Sequence, residues 1–201
     1  NDFKAELVFL SLTASKEDLA ALSARFAGAG VEVPRAMFGR EETIRRRLRT
    51  AREAGCRHAL VHTWDGVQLA QEEGFSLHAG FGLAMANRQA LQSAREGGFQ
   101  SAAVWLELSL GQASGLTGIL PVGYYAYGYL ALMLMRSCPA ADACKKCDGR
   151  QSLIDRKGTA FPVRCAGGAG EVFNSVPLCL ADRMDRLSCL DIVHLHFTEE
   201  T

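Results

Sequence analysis

Cys138, Cys144, Cys147 and Cys165 are spaced C-x5-C-x2-C-x17-C, and Cys179 and Cys189 follow them. Thiolates at this density bind a metal, ligate an iron–sulfur cluster or pair as disulfides. Cys144-x2-Cys147 has the spacing of a zinc knuckle, and a tetrahedral zinc site takes four N/S ligands. A 4Fe–4S cluster also takes four thiolates and tolerates long intervals between them. The opening stretch NDFKAELVFLSL lacks the basic n-region and small-residue cleavage site of a secretory signal. A cytoplasmic setting is therefore expected, and its reducing conditions disfavour structural disulfides. Metal or cluster binding leads, with Cys138, Cys144, Cys147 and Cys165 as the ligand set. The plain alternative is burial as small hydrophobes, above all for Cys56 and Cys189, which stand alone.

Other residues offer weaker chemistry. His194-x-His196 on a strand puts both imidazoles on one face, and His62, His78 and Glu107 are conceivable partners in a hydrolytic zinc site. There is no His-Glu-x-x-His helix and no G-x-S-x-G elbow, so nothing local marks a zinc or serine protease. A nucleophilic dyad would have to come from Cys56 and His58. Tyr125, Tyr127 and Tyr129 share a face of one extended segment, where they would stack bases, line a pocket or pack against a helix. Arg45, Arg46, Arg47, Arg49 and Arg52 mark a basic helix that either is a solvated face or touches RNA phosphates.

Positioning these groups takes a fold, and the chain has the material for one. It has 201 residues, 48% hydrophobic and 22% charged, which are globular values. Lys+Arg and Asp+Glu both number 22, which argues against coating nucleic acid through bulk charge. The longest apolar run, residues 130–135, is far too short to span a bilayer, so no membrane partner is expected. The chain begins with Asn1 rather than Met, which leads us to expect a piece of a longer protein with an upstream domain.

Residues 1–136 repeat a β-rich run, a turn, an amphipathic helix and a glycine. Strands are expected over 7–12, 31–37, 58–62, 77–83 and 102–108, with an extended apolar segment over 121–135. Helices are expected over 41–54 and 66–73, after the N-caps Ser15 and Asn87, and as at most one turn over 112–116. Such alternation implies right-handed crossovers and a parallel sheet. No G-x-G-x-x-G follows the first strand, which favours a partial (β/α) TIM-like barrel over a doubly wound sheet. Residues 137–180 form a cysteine-rich region with a hairpin turning at Asp155-Arg156-Lys157-Gly158, and residues 181–201 add a last helix and strand to the barrel.

Four stretches together resemble one family: Met133-Leu134-Met135-Arg136-Ser137-Cys138-Pro139, residues 153–158 (LIDRKG), Phe161-Pro162-Val163 and Asn174-Ser175-Val176-Pro177-Leu178. They are similar to the collagenase-like peptidase family U-32, and residues 34–42 and 78–83 resemble further blocks of it. The resemblance implies either the peptidase activity of the family name or a role like that of members that perform oxygen-independent hydroxylation of RNA or quinone rings. It implies a 4Fe–4S cluster on Cys138, Cys144, Cys147 and Cys165, with Cys179 competing with Cys147 or Cys165. RNA or peptide is the implied substrate. Three positions depart from the family pattern: Gly80 stands for an Asp, Ala84 for an Asn and Tyr129 for an Arg. The second reading is accordingly a zinc-binding or interaction module that draws its active site from a partner or an upstream domain.

Chemistry in a (β/α) barrel gathers at the C-terminal ends of the strands. This rule places His62, Gly80, Glu107 and the segment 124–129 on one rim. The four cysteines are expected to converge there, with Arg136 and Arg156 offsetting their charge. His62, His78, Glu107, Tyr125, Tyr127, Arg136 and Arg156 make up the expected substrate pocket.

Overall fold

The computed structural model describes residues 5–139, 150–166 and 169–198. The chain divides into two compact units, Asn1–Tyr124 with Leu190–Ile192, and Tyr125–Cys189 with Val193–Thr201.

The first unit alternates β1 (Val8–Ser11), α1 (Lys16–Arg25), β2 (Ala29–Glu32), α2 (Glu41–Glu53), β3 (His58–Val61), α3 (Trp64–Glu72) and β4 (Ser76–Ala79). A 3-10 turn (Phe81–Leu83), α4 (Arg88–Glu96), β5 (Ser101–Ala103), α5 (Leu110–Ser114) and the start of β6 (Val122–Gly128) complete it. The strands are parallel and lie in sequence order from β1 to β6. Order without a reversal has no switch point of the doubly wound kind. The sheet curls as a half-barrel.

Local chemistry sets the element ends. Ser15 Oγ accepts from the Asp18 N–H at 3.0 Å and Asn87 Oδ1 from the Ala90 N–H at 2.9 Å, as their spacing to the helices predicts. Ser109 and Gln112 close a capping box on α5. Strands are shorter than expected. β2 stops at Glu32, ahead of Pro34, and β4 stops at Ala79, where the chain turns into the 3-10 segment and Ala84 takes φ 52°.

Register divides the sheet into two faces. Val31, Ala59 and Leu77 pair in one row, point one way and are at most 3% exposed. On the same side Val33 meets α3, where a Cβ on Gly66 would lie 3.4 Å from Val33 Cγ1. The opposite, inner face carries Phe9, Glu32, His58, Leu60, His78 and Ser101.

In the second unit the end of β6 pairs antiparallel with β11 (Leu178–Cys179) and also pairs with β12 (Ile192–His196). A separate antiparallel sheet runs β7 (Ala131–Met135), β10 (Ala169–Phe173), β9 (Ala160–Ala166), β8 (Arg150–Ile154). The extended segment expected over 121–135 is thus two strands, β6 and β7, divided after Gly128. The helix expected after residue 180 is a 3-10 turn (Ala181–Arg183) followed by the single-turn α6 (Met184–Leu187). Cys144 and Cys147 lie outside the described residues.

The β8–β9 hairpin turns where the sequence predicts. Gly158 has φ 82°, and Asp155 Oδ1 accepts from the Lys157 and Thr159 N–H groups at 2.7 and 2.9 Å. The Thr159 backbone bond leads the effects that hold the Asp155 carboxyl below its usual range. A Gly158→Val change forces a branched side chain into the left-handed region and should cost about 1–2 kcal/mol. Urea unfolding of the variant against the parent protein measures this.

Candidate functional site

In the first unit, the inner face gathers polar side chains from four consecutive strands. His62, just past β3, is 2% exposed, and its Nε2 lies 2.9 Å from Glu32 Oε1 at the end of β2. Nε2 carries the hydrogen and donates, because a carboxylate only accepts. His62 Nδ1 is then a buried acceptor, and it has no hydrogen-bond partner. Leaving it unmatched costs about 1–3 kcal/mol. Phe81 lies against the ring, centroid to centroid 4.9 Å, and the Arg35 guanidinium sits 4.8 Å from the Phe81 centroid. Gly80 makes this possible: a Cβ there would fall inside the His62 imidazole. The ring therefore occupies the space that a side chain at position 80 would fill.

Deeper on the same face, His58 Nδ1 lies 3.0 Å from His78 Nε2, and His78 Nδ1 lies 2.7 Å from Ser101 Oγ. Phe9 meets His78 edge-on at 5.6 Å. Ser101 is 4% exposed, so the pair satisfies buried polar groups and offers no hydroxyl to a substrate. Burial pushes the His58 imidazole below its usual range. Cys56 is fully buried with its Sγ 4.0 Å from the Leu19 carbonyl, and burial pushes its thiol up. His58 is engaged by His78, so the Cys56–His58 dyad does not form.

Two rim expectations meet different fates. His62 and Glu32 come together at strand ends, whereas Glu107 is exposed in the turn ahead of α5. An open groove of about 440 Å³ lies beside that turn, lined by Asn87, Arg88, Leu108 and Gln112 among others. Part of the basic helix is neutralised, while Arg46 and Arg47 are exposed. Arg45 pairs with Glu72, Arg49 with Glu73 at 3.0 Å, and Arg52 lies over Phe75.

In the second unit the cysteine geometry turns on Gly170. Gly170 pairs with Cys165 on β9 and with Met135 on β7. A Cβ on Gly170 would lie 3.2 Å from Cys138 Cα and 3.0 Å from Pro139 Cδ. The segment 137–139 therefore folds back over Gly170, on the face toward which its partner Cys165 points. Cys165 and Cys179 are exposed and Cys138 is half-buried. Tyr125 stacks on His194 at 5.0 Å and meets His196 edge-on at 6.0 Å, while Tyr127 packs on Phe197. Two of the three tyrosines proposed for base stacking, Tyr125 and Tyr127, thus pack against β12 and against Phe197 just beyond it. Arg136 follows β7. Arg156 is a correction: it sits at the hairpin tip, and the five-residue step from Ala160 to Cys165 alone spans about 17 Å of strand. Arg156 therefore stands at the end of β9 remote from Cys165 and does not offset its charge. Among the described residues, no group of three or more His, Cys, Asp or Glu side chains is placed to hold a metal ion.

No protein-family model matches this chain, and no curated protein is similar to it beyond chance. Among the described residues, no helix is long and apolar enough to cross a membrane.

Two expectations follow for the inner face. Gly80→Ala should evict the His62 ring and cost about 1–3 kcal/mol of overpacking. Gly111→Ala, where a Cβ meets nothing within 4 Å, should cost nothing measurable in the same urea titration. The second concerns pH. A folded-state His58 titrating below its unfolded value of about 6.5 binds fewer protons than the unfolded chain in that window, so stability rises with pH there and is lost on acidification. Unfolding midpoints between pH 7 and 5 should fall further in the parent protein than in His58→Gln.

Proposed function

We propose that this chain is a module of a collagenase-like U-32 protein that holds a cysteine-ligated 4Fe–4S cluster and serves oxygen-independent hydroxylation of RNA or a related substrate. One observation carries the reading: Cys138 is laid across Gly170 on the same face as Cys165, although the two lie 27 residues apart in sequence. A Cβ at position 170 would crowd this approach, so the glycine eases it. Cys138 and Cys165 would supply two ligands, and Cys144, Cys147 or Cys179 the others. Such a cluster supplies one-electron chemistry tuned by its thiolates and their surroundings. The chain's own part is to hold the thiols on a two-sided antiparallel sheet and to keep Cys56 out of the ligand pool. The half-barrel, the Cys144-x2-Cys147 spacing and the sequence blocks support the same reading.

Anaerobic reconstitution with iron and sulfide should yield a brown protein with about four irons per chain. Cys138→Ser, Cys165→Ser and Gly170→Val should each lower iron content, with Cys56→Ser unchanged. Stoichiometric zinc without iron, or colourless metal-free protein under strict anaerobiosis, would overturn the cluster.

A further inference from the structure

A second site stands in the first unit and is independent of the cysteine reading. Four side chains from three consecutive strand ends touch in series: Glu32 to His62 at 2.9 Å, His62 to Phe81 at 4.9 Å and Phe81 to the Arg35 guanidinium at 4.8 Å. Among the described residues, the non-glycine residues with positive φ are Phe38 at 43° and Ala84 at 52°. Both lie in the loops that carry this series, Phe38 three residues past Arg35 and Ala84 three past Phe81. Non-glycine residues in that region store strain, which collects at binding and catalytic sites. His62 adds a third sign, because its Nδ1 is buried without a partner while Nε2 is committed to Glu32. A ring placed for packing alone would not leave a nitrogen unmatched.

We propose that Arg35, Phe81, His62 and Glu32 form an anion-binding, proton-accepting site for a small phosphate- or carboxylate-bearing ligand. Arg35 seats the anion by its guanidinium, held against Phe81. Glu32 is 27% exposed at its side chain and accepts a proton from an O–H or C–H of the ligand. The electron pair stays on the ligand, the carboxylate becomes the neutral acid, and the proton returns on reversal, so no oxidant or reductant is consumed. His62 is a positioning residue that fixes one carboxylate oxygen through Nε2–H. His62 from β3 meets Glu32 directly, Arg35 lies three residues on in the loop after β2, and Ser11, the register partner of Glu32 on β1, does not titrate.

The test uses the full chain labelled with ¹³C and ¹⁵N, with inorganic phosphate as the probe. Phosphate should shift the Arg35 Nε–H and Glu32 carboxyl resonances saturably, and Arg35→Gln should abolish the effect. Monoanionic phosphate has a further O–H to donate to Glu32, so affinity should be greater below the second ionisation of phosphate. Glu32→Gln should remove that pH preference. The His62 ring should show the Nε2–H tautomer in its nitrogen shifts. His62→Gln should leave phosphate binding in place while weakening the Glu32-dependent preference for the monoanion. Absence of saturable shifts up to tens of millimolar phosphate would overturn the anion site. Binding without a Glu32-dependent pH preference would overturn the proton-accepting role, and an Nδ1–H tautomer would remove His62 as its positioner. None of these outcomes bears on iron content, so they leave the cluster reading untouched.

Discussion

Strands only three or four residues long have few side chains with which to bury a sheet, and a period of two gives half of them to each face. The first unit spends one face wholly on packing, with Val31, Ala59, Leu77 and Ala102 all nearly inaccessible. The other face is left to carry polar groups among Phe9 and Leu60, with His78 level with Ser101 and Glu32 reaching His62 at the strand ends. A one-residue slip of β3 would send His58 into the helix layer and Val61 inward. The polar inner face is therefore a consequence of how the apolar face is ordered.

Glycine in this protein works at two of these junctions by absence. At position 80 it cedes its volume to an imidazole from the neighbouring strand, and at position 170 it lets a chain segment lie across a sheet. Neither glycine has a left-handed backbone there, so what matters is space. At position 80 the polar group thus arrives from the loop after β3.

Much of this fold was legible in the sequence, for identifiable reasons. Caps at Ser15 and Asn87, the stop after α2 and the turn at Asp155–Gly158 depend on contacts within a few residues, which spacing reveals. Consecutive strand order followed from alternation and the missing glycine fingerprint. What the sequence hid was pairing at a distance. Glu32 sits 30 residues from His62 and His58 sits 20 from His78, and their meeting needs the strand register. His62 and His78 were singled out as residue types, but with Glu107 as partner, because the carboxylate on β2 has nothing local to mark it. Arg156 was drawn toward the cysteines by sequence proximity, whereas a hairpin separates its tip from its open end by the full strand length.

The distribution of sulfur has an experimental consequence. The second unit holds Cys138, Cys144, Cys147, Cys165, Cys179 and Cys189, and the first holds Cys56 alone, fully buried and with its thiol pushed up. Attack by peroxide or an alkylating dye proceeds through the thiolate and requires access. Such reagents will mark the second unit and pass over the first until the first unfolds. Cys56 is thus a native reporter: its appearance in a labelling time course dates the opening of the half-barrel without any engineered probe.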